Sequence, residues 1–263
     1  MLFKEYIDYF IQNLIKIDNP SILLDMIFDN NLSVNFPEIN NLRNCQQDPI
    51  WHPEGDVYIH TKMVLEKAKE ISLSFENDYD KTKILLFAIC HDLGKPSTTV
   101  FSNGRWRSPG HEMAGIPISR DFLSKFGYDE KLISEILILV KEHLSLIHLY
   151  KDKDKVSDKA IIRLVQRIDL NFLIPCVKSD YFGRTNLTES IDDFEPEKWV
   201  FERLNQVKVN KKKTTFLNGK TLLLLGLKPG KQIGDILREA EKLENQNIIN
   251  SQEQAIEWVK TKL

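Results

Sequence analysis

The sequence predicts an all-α fold. Apolar residues recur at helical spacing through nearly all of the 263 residues, whereas the period-two alternation that marks strands is scarce. Glycine and proline fall between the periodic stretches and end them. The 42% apolar content suits one large globular domain or two modest ones. No stretch approaches the roughly 18 uninterrupted apolar residues of a membrane span.

This periodicity predicts a succession of helices. To within a few residues, they lie at 3–17, 21–30, 57–74, 81–93, 111–126, 130–147, 157–168, 170–182, 196–206, 231–243 and 251–262. Pro117 predicts either a kink in its helix or a later start. The helices form three regions, which are a helical lead-in over 1–50, a helical bundle over 51–190 and a small helical C-terminal segment over 191–263.

The charge of the chain is balanced overall but not locally. A formal net charge of −2 means that no global field draws the protein to nucleic acid or to an anionic membrane. Between residues 205 and 231, however, seven lysines stand without one acidic residue, which predicts an RNA-binding surface. A solvated lysine-rich face is the commoner explanation of such a composition. The residues expected to contact RNA are Lys211, Lys212, Lys213, Lys228 and Lys231.

The three cysteines predict a reducing compartment. Cys45, Cys90 and Cys176 form an odd set without CxxC spacing, which argues against a disulfide framework and a zinc ribbon. Lys4 and Asp8 interrupt the apolar pattern of the N-terminus, so we expect no signal peptide. These features predict a cytoplasmic protein with no membrane partner, and they leave its oligomeric state open.

Several helices carry a histidine or an aspartate in line with their apolar stripe, which aims that side chain at the core. The clearest case is KILLFAICHDLGKP, which is apolar almost all round and ends in two such residues. A single histidine in this position is usually a core residue that one hydrogen bond satisfies. The full set of inward residues is His60, His91, Asp92, His111, His143 and Asp180.

Two buried carboxylates beside several imidazoles predict a divalent metal ion, because unpaired buried carboxylates are costly and one cation compensates them together. The expected ligands are His60, His91, Asp92 and Asp180. His111 and His143 would hold a second ion, with Asp92 as the bridge, or would face the substrate. Mixed nitrogen and oxygen ligands suit Mn, Ni, Co, Fe or Zn, and Mg remains open.

The order of these residues resembles a known signature. His60, the pair His91-Asp92 and Asp180 are similar to the H…HD…D pattern of the HD-domain metal-dependent phosphohydrolases, and HDLGK is a close form of their central motif. The resemblance implies an HD-domain helical bundle and a metal site that hydrolyses phosphate esters.

A second resemblance covers most of the chain. QDPIWHPEGDVYIHT, HDLGKPSTT, GRWRSPGHEMAG, SDYFGRTN and LLLLGLKPGKQIGDILREA are similar to the C-terminal half of the tRNA nucleotidyltransferase and poly(A) polymerase family. It implies 2′,3′-cyclic phosphodiesterase, 2′-nucleotidase and phosphatase activities, with tRNA as a partner.

Nucleotidyl transfer needs a Gly-Ser loop before paired aspartates. The pairs Asp78/Asp80 and Asp152/Asp154 lack that context, so we expect a hydrolase-like half that does not add CCA by itself.

Cationic residues near the inward set are candidates for binding the substrate phosphate. Lys95 could reach a phosphate oxygen or could offset a helix dipole. Arg105 and Arg107 flank Trp106 and offer guanidinium groups for phosphate beside a ring for a base, although an exposed loop has the same composition. Arg184 has a phosphate-binding or an ion-pair role.

Other polar residues have less specific predictions. Asp56 is expected to cap the first ligand helix, whereas His52 and Glu54 form a turn or orient a metal-binding imidazole. His148 is expected at the surface.

The leading hypothesis is a metal-dependent phosphohydrolase that acts on nucleotides or RNA ends. Asp92 would assist as a base, and Lys95 or an arginine would neutralise the developing charge. The alternative is a tRNA-binding or regulatory module whose metal site is structural and which works with a separate nucleotidyltransferase.

Overall fold

The protein is helical throughout its described part, apart from one β-hairpin. A computed structural model describes residues 1–185, 190–212, 216–245 and 248–262. The helices are α1 (Phe3–Asn13), α2 (Ile22–Asp29), α3 (Pro37–Asn40), α4 (Val57–Ser72), α5 (Asp78–Cys90), α6 (Lys95–Thr98), α7 (His111–Ser124), α8 (Glu130–Glu142), α9 (Ser145–Lys151), α10 (Asp158–Arg167), α11 (Leu170–Phe182), α12 (Glu195–Lys212), α13 (Gly219–Leu224), α14 (Lys231–Asn245) and α15 (Gln252–Lys260). The all-α prediction is confirmed.

The chain forms two compact units, residues 1–204 and residues 205–263. In the first unit, α5 is the central helix and packs against α4, α8 and α11, while α7 packs against α8. Every side chain from Ile84 to Cys90 is fully buried, as the nearly continuous apolar run of this helix requires. An aromatic cluster around Phe36 joins the first helices to the end of α7 through Tyr6, Phe122 and Phe126.

The second unit has a small core of its own. Its described helices α13, α14 and α15 bury Leu222, Ala240 and Val259 together. Helix α13 has no counterpart among the predicted helices, and α12 runs six residues beyond its predicted end at 206. Among the described residues, no helix has both the length and the apolarity that a membrane span requires.

The prediction of a single helix over 130–147 is wrong, because α8 ends at Glu142 and α9 begins at Ser145. The histidine that follows α8 provides the physical reason. His143 Nδ1 lies 2.6 Å from the Val140 carbonyl oxygen, so the side chain takes an acceptor that the end of a helix leaves without a backbone partner. Helix α5 likewise ends at Cys90, before its predicted end at 93, and His91 Nδ1 lies 2.8 Å from the Ala88 oxygen.

The hairpin consists of β1 (Val100–Ser102) and β2 (Arg105–Arg107), with Phe101 opposite Trp106. Its turn residues, Asn103 and Gly104, have φ angles of 52° and 74°, which is the left-handed backbone of a type I′ turn. The sequence prediction missed this hairpin because each strand is only three residues long. The Asn-Gly pair in FSNGRWR was the available signal.

Candidate metal centre

Five helices bring the predicted inward residues to one buried centre. His60 lies on α4, His91 and Asp92 follow the end of α5, His111 begins α7, His143 follows α8 and Asp180 lies on α11. None of the six residues is more than 8% exposed. These side chains also line one cleft of about 390 Å³, except for His60 and His91, which lie beneath its floor.

Two glycines allow the helices to approach closely enough to form this centre. A Cβ on Gly94 would lie 2.1 Å from the His111 carbonyl oxygen, so the segment after α5 can meet the start of α7 only without a side chain there. A Cβ on Gly183 would lie 2.7 Å from Val64 Cα, where the end of α11 approaches α4. Gly94 has an ordinary φ of −81°, so its role is close packing and does not depend on a left-handed backbone.

Three of the four central imidazoles are held through a hydrogen bond at Nδ1. In each of these rings Nδ1 lies within 2.8 Å of the backbone carbonyl oxygen three residues earlier, in Ala88, Ser108 or Val140. In His60, Nδ1 lies 2.8 Å from Glu54 Oε1 but makes no hydrogen bond with it. A nitrogen that hydrogen-bonds to a carbonyl oxygen carries the proton, so the neutral form of these three rings presents the lone pair of Nε2 to the centre. This arrangement is typical of metal-binding histidines.

The Nε2 atoms and the two carboxylates converge over a few ångströms. His60 Nε2 lies 3.1 Å from Asp180 Oδ1, and His91 Nε2 lies 3.2 Å from Asp92 Oδ2. On the other side of Asp92, Oδ1 lies 3.2 Å from His111 Nε2. The two oxygens of Asp92 therefore face different histidines, as a bridging carboxylate would.

The donor atoms form two groups. His60, His91 and Asp180 make one group, and Asp92, His111 and His143 make the other, with the donor atoms of each group within 4.8 Å of one another. The Nε2 atoms of His111 and His143 lie only 3.3 Å apart. With both Nδ1 atoms protonated, two lone pairs would face each other, and a shared proton or a cation has to separate them.

The electrostatics keep both carboxylates ionised. Burial raises the pKa of Asp92, but the charges of His91 and Lys95 outweigh it and hold that pKa well below its usual range. For Asp180, burial is likewise outweighed, chiefly by Arg184. Burial, reinforced by the charges of His111 and His91, lowers the pKa of His143 to about 3, so this imidazole is neutral at pH 7. Burial lowers the pKa of His91 and of His111, but contact with Asp92 outweighs it and raises both. Neutral imidazoles and ionised carboxylates are the forms that bind metals, so a bound ion would have to displace any proton on these two rings.

The donor set fits a divalent metal ion. Within the described part of the chain, His91 Nε2 and Asp92 Oδ2 are buried 3.2 Å apart and make no hydrogen bond, and Asp92 Oδ2 forms an ion pair with Lys95 Nζ at 2.6 Å. Buried polar atoms are rarely left in this condition, and a cation between nitrogen and oxygen donors would satisfy them. The residues that would hold it are those of the two groups.

The cationic residues predicted to bind phosphate line the same cleft: Lys95, Arg105, Arg107 and Arg184. Lys95 is buried at the start of α6. Its Nζ lies 2.6 Å from Asp92 Oδ2 and donates to Gln47 Oε1. Lys95 is therefore not part of the last turn of α5, where it could offset the dipole of that helix. Arg184 Nη2 lies 3.4 Å from Asp180 Oδ1. All of these groups are therefore within reach of a ligand in the cleft.

The predicted RNA-binding lysines belong to the second unit. Lys228 and Lys231 are exposed in the second unit. Lys213 and the side chains of Lys211 and Lys212 lie outside the described residues. Their role in RNA binding stays a prediction.

Neighbouring residues complete the site. Asp56 caps α4 by accepting from the Ile59 backbone N–H, as the sequence indicated. Glu54 Oε1 contacts both His60 Nδ1 and His52 Nδ1, the latter at 3.0 Å, so it orients two imidazoles at once. His148 is exposed and lies at the mouth of the cleft.

Sequence reasoning did not assign Gln47, Trp51 and Lys151 to the site, although all three line the cleft. Gln47 and Trp51 come from the loop before α4, where no periodicity exists to indicate their direction. Lys151 ends α9, a helix that was not predicted separately.

Residues 57–170 match the HD domain family model. This segment of the chain is therefore similar to the HD domain. Five of the six inward residues lie within the matched segment, and Asp180 lies beyond it. The HD domain belongs to a superfamily of metal-dependent hydrolases.

Curated relatives match more of the chain than the HD domain. A Multifunctional CCA protein of Actinobacillus pleuropneumoniae is 28% identical over 202 residues, which is 73% of this chain and 47% of the relative. The protein of the same name from Pasteurella multocida is 31% identical, over 61% of this chain and 38% of its own length. The one from Psychromonas ingrahamii is 30% identical, over 67% of this chain and 42% of its own length. The chain thus spans less than half of the length of these relatives. Both resemblances predicted from the sequence are confirmed.

Proposed function

We propose that the protein is a divalent-metal-dependent phosphohydrolase that acts on the phosphate esters of nucleotides or RNA ends. The observation that carries the proposal is the convergence of four imidazoles, three of them hydrogen-bonded through Nδ1, and two ionised carboxylates at and beneath the floor of a cleft with cationic walls. A purely structural metal site is normally closed by its ligands, whereas this one opens to a cleft large enough for a substrate.

The two donor groups support the binding of one ion each, with Asp92 shared between them. Divalent ions would supply Lewis-acid activation of water and of the phosphoryl group, and mixed nitrogen and oxygen donors suit Mn, Ni, Co, Fe, Zn or Mg. The buried imidazoles contribute rigidity, because the three hydrogen-bonded Nδ1 atoms fix the direction of the Nε2 atoms of their rings.

Cationic side chains would bind and neutralise the phosphate. Lys95 is the nearest to the carboxylates, and we assign it the stabilisation of the charge that develops on the phosphoryl oxygens. Arg184, on the same side as Asp180, and Arg105 and Arg107, on the hairpin, would hold the remaining phosphate oxygens. The two oxygens of Asp92 face His91 and His111, so this carboxylate would hold the metal and could accept a proton from water.

Two lines support phosphate esters of nucleic acids over other phosphate esters. The relatives are called Multifunctional CCA proteins, a name that refers to a nucleotide sequence. The resemblance to the tRNA nucleotidyltransferase family also implies 2′,3′-cyclic phosphodiesterase, 2′-nucleotidase and phosphatase activities. We propose that at least one of these activities belongs to this chain.

The test is a panel of substrates with the wild type and Asp92→Ala. The panel contains a 2′,3′-cyclic nucleotide, a 2′-nucleotide and p-nitrophenyl phosphate, each with Mn, Ni, Co and Mg. We expect metal-dependent turnover by the wild type and a loss of at least about 1000-fold in Asp92→Ala, because Asp92 belongs to one donor group and its Oδ2 lies 3.2 Å from His91 Nε2 of the other.

Circular dichroism separates loss of chemistry from loss of fold, and Glu70→Gln, on the exposed face of α4, is the matched control. Wild-type rates in Asp92→Ala would refute the assignment. Absence of turnover on the whole panel, with metal bound, would favour the alternative of an RNA-binding module with a structural metal.

A further inference from the structure

Two tryptophans line the mouth of the metal cleft. Trp51 comes from the loop before α4, and Trp106 comes from β2 of the hairpin. Trp51 is 55% exposed, although a tryptophan side chain gains more from burial than almost any other. An exposed indole beside a charged cleft indicates a surface that a ligand covers.

Asp48 links the segment that carries Trp51 to the hairpin that carries Trp106. The Asp48 carbonyl oxygen accepts from the backbone N–H groups of Trp51 and His52, at 3.0 and 2.8 Å, which closes a turn around the indole. Its side-chain Oδ1 accepts from the Ile50 N–H, and its Oδ2 accepts from Arg105 Nε on the hairpin. The position of Trp51 relative to the hairpin is therefore fixed in the folded protein.

Unpaired cations accompany these rings. Within the described residues, neither Lys151 nor Arg107 has an acidic partner, and Lys151 Nζ lies 5.9 Å from the centre of the Trp51 ring. Aromatic rings interleaved with cations are the chemistry that binds a nucleobase next to its phosphate, since any base can stack on an indole. A phosphate ester without a base would make no use of Trp51.

We propose that Trp51 and Trp106 form a nucleobase-binding subsite, in which Trp51 stacks on the base of the nucleotide whose phosphate lies at the metal centre. The proposal rests on the phosphohydrolase function proposed above. The base belongs either to a free nucleotide or to the terminal nucleotide of an RNA strand. Trp51 is then a specificity-determining residue, which selects nucleotides over other phosphate esters.

Binding measurements test this subsite without relying on turnover. We would titrate the metal-loaded full-length protein by calorimetry with AMP, with ribose 5-phosphate and with a short oligoribonucleotide that ends in a phosphate. Ribose 5-phosphate has the same sugar and phosphate as AMP but no base. The variants are Trp51→Ala, Trp51→Phe and the control Phe201→Ala, which removes an exposed aromatic residue on α12 that does not line the cleft.

We expect the wild type to bind AMP at least about 10-fold more tightly than ribose 5-phosphate. Trp51→Ala should abolish this preference and leave the affinity for ribose 5-phosphate unchanged, Trp51→Phe should restore most of it, and Phe201→Ala should match the wild type. Tighter binding of the oligonucleotide than of AMP, with the same dependence on Trp51, would identify an RNA end as the source of the base.

Two results would overturn the subsite. One is an unchanged preference for AMP in Trp51→Ala, and the other is an equal loss of affinity for both ligands, which would show a merely structural role. If the base-dependent binding is present but the wild type hydrolyses no phosphate ester, the subsite is supported and the proposed phosphohydrolase function is refuted.

Discussion

Glu54 provides a sensitive test of how the metal centre is organised, because it touches the proposed ligands only through an imidazole. Its side chain is 1% exposed, and Oε1 lies 2.8 Å from His60 Nδ1 and 3.0 Å from His52 Nδ1. The contacts with His52 and His60 lower the pKa of this carboxyl, in spite of its burial, so it is ionised at pH 7. Replacement of Glu54 by alanine would remove the hydrogen-bond partner of His52 Nδ1 and the carboxylate that lies against His60 Nδ1.

The size of the effect follows from this geometry. Water cannot replace a carboxylate that is almost fully buried, so the loss of the hydrogen bond with His52 would cost about 1–3 kcal/mol. The loss of a carboxylate that orients a metal-binding histidine typically lowers metal affinity about 10- to 100-fold, which corresponds to about 1.4–2.8 kcal/mol. We expect Glu54→Ala to weaken Mn²⁺ binding by this factor and Glu54→Gln, which keeps an oxygen acceptor, to weaken it less.

The assay is calorimetric titration of Mn²⁺ into the metal-free protein, with thermal unfolding to verify the fold of each variant. Glu70→Gln is the control, because that carboxylate is exposed and pairs only with Lys67 among the described residues. Unchanged affinity in Glu54→Ala would refute the reasoning, since it would show that His60 either is not a ligand or needs no orienting partner.

Further predictions concern the second donor group, the packing and the thiols. His143→Ala should reduce the number of bound ions by one, as counted by elemental analysis, and an unchanged count would exclude His143 as a ligand. Gly183→Ala should lower the free energy of unfolding in urea by about 1–3 kcal/mol, because the new Cβ would lie 2.7 Å from Val64 Cα, whereas Gly234→Ala should not lower it. Burial raises the pKa of all three thiols, so Cys45, Cys90 and Cys176 should react slowly with Ellman's reagent at pH 7 until the protein is unfolded. Fast labelling of a thiol in the folded protein would contradict the burial of that residue.

The sequence was sufficient to predict the helical fold and the burial of the six inward residues, because both depend on periodicity within single helices. His60 and Asp180 are 120 positions apart in sequence, yet each could be assigned to a core-facing stripe from its own helix. Periodicity does not show how closely two helices approach each other. The contact of Asp92 with different histidines through its two oxygens depends on Gly94, whose packing role was not apparent from the sequence.

The errors have equally specific causes. The break after α8 depends on a side-chain contact of His143 with its own helix, which outweighs a continuous apolar pattern. Trp51 was overlooked because residues in loops have no period from which to infer their direction. The contact of Nδ1 with an oxygen atom is the strongest argument for metal binding, and it requires the three-dimensional structure. An apolar stripe shows that a histidine points inward, but it does not show which ring nitrogen faces the centre.

The central claim is that this buried centre holds divalent metal, and the most direct test is the metal content of the purified full-length protein. The protein would be stripped with a chelator, incubated with Mn²⁺, desalted and analysed by elemental mass spectrometry beside Asp92→Ala. The account predicts one ion for each of the two donor groups in the wild type and a clear loss in Asp92→Ala. A wild-type protein that retains no more metal than Asp92→Ala would contradict it.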